Sequence, residues 1–97
     1  MFLSPFPKVT RDFAFILDKD TEIQPLIAAI YALTVLIEDV LVFDVYSGDT
    51  LTSSQKSIAL RIVLSPQEET LKDADIKTLS HQIIEVAQKT AGASLRT

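Results

Sequence analysis

Ninety-seven residues provide for one domain and no more, and a hydrophobic share of 47% provides for a real core. The absence of cysteine excludes disulfides, thiolate metal sites and thiol nucleophiles, and the single histidine, His81, cannot build a zinc site alone. A formal net charge of −4 is the reverse of what a general phosphate-gripping module carries, so any nucleic-acid contact must rest on a local patch and on bases.

Phe6-Pro7 is extended, because a residue before proline avoids the helical region. Residues 9–17 are rich in β-branched and aromatic side chains and read as strand one. Alternation puts Phe13, Phe15 and Leu17 on one face and Asp12 and Ala14 on the other. Residues 18–20 break the pattern. Thr21 with Gln24 suggests a capping box, Pro25 suits a first turn, and Ile23, Ile27, Ile30 and Tyr31 keep helical spacing to an end near Leu33. The longest apolar run, residues 26–37, is interrupted by Thr34 and is well short of the roughly 20 residues that span a bilayer.

Strand two starts at Leu36 or Ile37 and ends at Tyr46. Strict alternation places Leu41, Phe43 and Val45 on one face, and Val42, Asp44 and Tyr46 on the other. Residues 47–55 turn the chain, with Gly48 supplying backbone freedom. Residues 56–65 form strand three, stopped by Pro66. Its apolar face is Ile58, Leu60, Ile62 and Leu64; its other face is Ser57, Ala59, Arg61 and Val63.

Residues 67–72 connect to helix two, capped by Asp73 or by Thr70 with Asp73. Ile76, Leu79, Ile83, Val86 and Ala87 make its apolar stripe, and Gly92 suits the position just past its end. Residues 93–96 form a short last strand. The order βαββαβ predicts an α+β, ferredoxin-like fold: a four-stranded antiparallel sheet, strands one and three central, with both helices on one face. One domain is expected over residues 1–97, ordered from about residue 6 to 96.

The open face would then carry Asp12, Ala14, Asp44, Tyr46, Ser57, Ala59 and Arg61. Such a face is either an ordinary solvated sheet surface or a platform for splayed bases. In the second reading Tyr46 stacks a base, Asp44 and Ser57 bond its Watson–Crick edge, and Ala14 and Ala59 let the ring approach. Arg11 is either a phosphate or loop contact or part of a structural pair, and Asp12 is placed to meet Arg61 across neighbouring strands. Lys8, Lys56, Arg61 and Arg96 are either scattered solvated charges or a small basic rim for phosphates. Residues 18–20 and 67–69 lack the spacing of a calcium loop. No Gly-rich phosphate loop, nucleophile–base set or segregated carboxylate pair is present, so no chemistry is expected of this piece.

Three motifs in order carry a resemblance: Phe6-Pro7 with Arg11-Asp12; Phe43-Asp44-Val45-Tyr46 with Gly48; and Lys56-Ser57-Ile58-Ala59-Leu60-Arg61. Together they resemble the ferredoxin-fold anticodon-binding domain, the family that closes the β chain of phenylalanyl-tRNA synthetase. The likeness runs over about residues 6–96. It implies a non-catalytic module that recognises the anticodon loop of phenylalanine tRNA, with Asp44, Tyr46 and Ser57 in the motifs that face that loop. It further implies that ATP and magnesium serve only the parent enzyme, that the active site lies on its α chain, and that this chain meets the α chain through the rest of the β chain. A cytoplasmic location follows from the same resemblance and from a start that lacks the basic-then-apolar pattern of a secretion signal. One departure is Lys72, where the family often has a hydroxyl cap. The alternatives are a protein–protein docking domain or a small-molecule regulatory domain on the same fold; a stand-alone RNA-recognition domain is disfavoured by the acidic charge and by the lack of paired aromatics on the central strands of the open face.

Overall fold

The computed structural model describes residues 6–47 and 54–96. Its elements are β1 (Val9–Asp18), α1 (Gln24–Tyr31), β2 (Ile37–Tyr46), β3 (Gln55–Leu64), α2 (Asp73–Ala91) and β4 (Ser94–Leu95). The strands form one sheet in the order β2-β3-β1-β4, and each pairing is antiparallel. This is the ferredoxin-like α+β arrangement that the element order predicts, with β3 and β1 at the centre. The turn assigned to Gly48 lies outside the described residues.

The two-residue periods of β1 and β3 are obeyed without a break, from Val9↔Leu64 to Asp18↔Gln55. Phe13, Phe15 and Leu17 therefore join Ile58, Leu60, Ile62 and Leu64 on one buried face. Leu26 and Ile30 of α1 and Leu79, Ile83 and Ala87 of α2 close over them in a single cluster. Each such aliphatic or aromatic side chain contributes about 1.5–3 kcal/mol by leaving water. The helical layer covers only this side, so the alternate residues of β1 and β3 are left as a bare face.

Helix starts depart from expectation. Residue Ile23, not Thr21, is the N-cap of α1, and it has helical dihedrals and no capping side chain. The Thr21 N–H instead donates to the Asp18 carbonyl at 3.1 Å, closing the turn after β1. Pro25 in the first turn lessens the loss, because it brings no N–H to satisfy. At α2 the N-cap is Lys72, not Asp73 or Thr70. The Asp75 carboxylate accepts the Lys72 N–H at 3.3 Å, and Asp73 and Asp75 together put negative charge at the positive end of the helix. Gly92 ends α2 with φ 62°, a left-handed conformation that glycine adopts without penalty.

Strand β2 breaks the alternation. Val42 pairs with Leu60, but the next pair is Asp44 with Ala59, so Phe43 is an inserted residue. A second shift lies between Ile37 and Asp39. The bulge reverses part of the expected pattern: Val42 joins Val45 on the helical side, and Leu41 joins Asp44 and Tyr46 on the open side. Among the described residues no helix is long and apolar enough to cross a membrane.

Candidate nucleic-acid interface

The register sorts the bare face into rows across β1, β3 and β2. The rows are Asp12–Arg61–Leu41, Ala14–Ala59–Asp44 and Ile16–Ser57–Tyr46. The middle row has the smallest side chains, so the surface dips there. Ser57 is buried beneath its neighbours, at 5% exposure. Asp12, Ala14, Asp44, Tyr46, Ser57, Ala59 and Arg61 thus share one face, as the alternation of β1 and β3 predicts.

Strand β4 adds a residue from the far side. The Arg96 N–H donates to the Ala14 carbonyl at 2.7 Å, which fixes Arg96 beside the middle row. Its guanidinium lies over the Tyr46 ring, 5.4 Å from the ring centre. Cation and ring attract through the ring's negative face.

The bulge builds a second pair of the same kind. The Arg61 guanidinium lies over the Phe43 ring at 4.9 Å. Arg61 also donates two hydrogen bonds to Asp12, Nε to Oδ1 at 2.9 Å and Nη2 to Oδ2 at 3.0 Å. The bond from Arg61, with its positive charge, holds the Asp12 carboxyl below its ordinary value and raises the guanidinium above its own. Both partners are about half exposed, so the pair adds little stability and serves to fix the plane of the guanidinium. Sequence alternation sends Phe43 inward; the structure leaves it 51% exposed beneath Arg61. Phe43 and Tyr46 thus both stand on the open face, on edge strand β2, while the central strands β1 and β3 carry no aromatic there, as expected.

Arg11 and Lys56 lie off this face. Arg11 pairs in register with buried Ile62, on the helical side of β1, and its Nη1 donates to the Thr10 carbonyl at 2.8 Å. Lys56 pairs with Leu17 on the same side and donates Nζ to the Thr21 carbonyl at 2.8 Å. Lys8 is bound to Glu38 at 2.8 Å. The expected rim of four cations therefore reduces to Arg61 and Arg96 on this face. His81 is exposed on α2 and takes no part. Among the described residues no three His, Cys, Asp or Glu side chains come together to hold a metal ion.

A ferredoxin-like domain with one bare sheet face, small residues at its centre and aromatic–arginine pairs at two points belongs to the class of face-binding modules. More specifically, the chain belongs to the family of ferredoxin-fold anticodon binding domains, whose model matches residues 4–96. It is a binding domain and not a catalytic one. It is 44% identical over 96 residues to the phenylalanine–tRNA ligase β subunit of Rhodospirillum rubrum, covering 98% of this chain and 12% of the relative. It is 45% identical over 89 residues to that of Ruegeria pomeroyi, covering 91% and 11%. For the subunit of Fusobacterium nucleatum the identity is 37% over 94 residues, covering 97% and 12%. The chain thus spans about one-eighth of the length of the relatives it matches.

Proposed function

We propose that the bare face holds the anticodon loop of phenylalanine tRNA, as part of a phenylalanine–tRNA ligase β subunit. The observation that carries this reading is the middle of the face: a low alanine floor at Ala14 and Ala59, bordered by Tyr46, Asp44 and Ser57. An unstacked base lies on that floor against Tyr46, and Asp44 accepts from its N–H groups while Ser57 bonds its edge. Arg61 contacts the loop from the next row; Arg11, on the other side of the sheet, does not. In the same proposal, ATP and magnesium act in the parent enzyme outside this chain. The α chain is met through the rest of the β chain, and the parent works in the cytoplasm.

Stacking contributes about 1–3 kcal/mol per base. One or two bases therefore give weak binding after the cost of association, and the parent enzyme must supply further affinity through linked sites. The test is an NMR titration of the labelled chain with a phenylalanine tRNA anticodon stem-loop and with one of unrelated anticodon. Shifts concentrated at Asp44, Tyr46, Ser57 and Ala59, stronger for the cognate loop, are expected. A silent face at millimolar stem-loop would end the proposal.

A further inference from the structure

Resting on that reading, we propose that Phe43 with Arg61 is a second nucleobase station, distinct from the one at Tyr46. The bare face would then hold two bases of a single-stranded loop that are unstacked from each other.

Three observations meet here. In an unbroken strand, residues 43 and 46 point to opposite faces. The bulge between Val42 and Asp44 cancels that parity, so both rings stand on the bare face. Each ring then carries a guanidinium of its own, Arg61 at 4.9 Å and Arg96 at 5.4 Å. Finally, Phe43 remains 51% exposed although it is a large apolar side chain beside a well-packed core, and Leu41 next to it is 44% exposed. About half of the Phe43 surface is therefore open to a partner.

Arg61 gives this station its chemistry. Asp12 takes its Nε and one Nη2 hydrogen, which sets the guanidinium plane and leaves Nη1 for a ligand. A flat cation fixed over an aromatic ring is a stacking surface for a base and a donor for its carbonyl or for a phosphate. Three residues of strand separate the two rings, about 10 Å at ~3.3 Å per residue. Stacked bases of one strand are only about 3.4 Å apart. The two stations therefore take bases that have come apart, which selects an unpaired loop over a duplex.

The experiment uses anticodon stem-loops with 2-aminopurine at each loop position in turn, its fluorescence being quenched when it stacks. Against the unaltered chain, two separated positions should change on binding. Phe43→Leu should abolish the change at one position, keep it at the other, and weaken binding at least about fivefold, the lower end for a lost stack. Tyr46→Leu should do the reverse, and Phe43→Trp should restore the change that Phe43→Leu removes. If Phe43→Leu alters no position while Tyr46→Leu still removes one, the second station is refuted and the anticodon reading stands. If no position changes with the unaltered chain, both are refuted. Amide spectra of each variant identify any that fails to fold, and in that case Arg61→Gln, which leaves the ring in place but removes its cation, must weaken the same position as Phe43→Trp preserves.

Discussion

Leu60 and Ala59 are chain neighbours with opposite duties, and exchanging each for another small aliphatic residue separates stability from recognition. Leu60 is fully buried on central strand β3, in register with Phe13 on one side and Val42 on the other. Leu60→Ala leaves a cavity under both helices and should cost about 2–5 kcal/mol. A domain of this size has about 5–15 kcal/mol in total. At roughly 4–8 °C per kcal/mol, the melting temperature should fall by at least about 8 °C. Ala59 stands on the bare face between Ala14 and Asp44. Ala59→Val suits a strand and should change stability by no more than about 1 kcal/mol. Its two added methyl groups raise the floor on which the base lies, so stem-loop affinity should fall at least about fivefold. Thermal unfolding by circular dichroism and a stem-loop titration read the two effects. The reasoning fails if Ala59→Val melts as low as Leu60→Ala, or if it binds the stem-loop as the unaltered chain does.

Gly92→Ala should cost about 1–2 kcal/mol in a denaturant titration: nothing lies within 4 Å of the new methyl group, so the cost is that of a left-handed backbone alone, and an unchanged midpoint would contradict this. The carboxyls of Asp12 and Glu85 are lowered by hydrogen bonds from Arg61 and Lys89. A carboxyl with a folded pKa below its unfolded value of about 4 stabilises fully above that value and loses the contribution as pH falls through the folded pKa. The double variant Asp12→Asn, Glu85→Gln should therefore be less stable than the unaltered chain near neutrality and converge with it in acid; a gap that widens in acid would contradict the assignment. With Arg61 and Arg96 as the phosphate-reaching cations of this face, the log–log salt slope of stem-loop binding should be about −1.4, at roughly −0.7 per contact, and a slope beyond about −3 would require cations from elsewhere.

Regular strands were legible in the chain and irregular ones were not. In β1 and β3 the pattern of apolar and small residues is an intrinsic property of each strand, and it correctly separates Ile58, Leu60, Ile62 and Leu64 from Ser57, Ala59 and Arg61. In β2 the positions of Val42 and Phe43 depend on how the strand meets β3, and both are apolar, so their own chemistry gives no sign of the bulge. The same holds for the stack of Arg96 on Tyr46, which depends on where a two-residue strand lands. Helix caps were misread where several candidates compete: Thr21 is used in the turn after β1, and Lys72 caps α2 by its backbone while Asp75 supplies the carboxylate. Arg11 shows the limit of motif reading, since adjacency to Asp12 in sequence puts it on the opposite side of the sheet.

The shortness of β4 leaves an unguarded border. It pairs with β1 only at Phe15 and Ile16, so residues 9–13 of β1 lie beyond its ladder. Exposed backbone of this kind invites another chain to add itself as a further strand. The residues at that end are Pro7, Lys8, Thr10, Arg11 and Asp12, a proline followed by polar and oppositely charged side chains. Proline cannot donate to a ladder, and an incoming apolar strand would have to bury the charges. Arg11 adds to that border a charge that an incoming strand would have to bury.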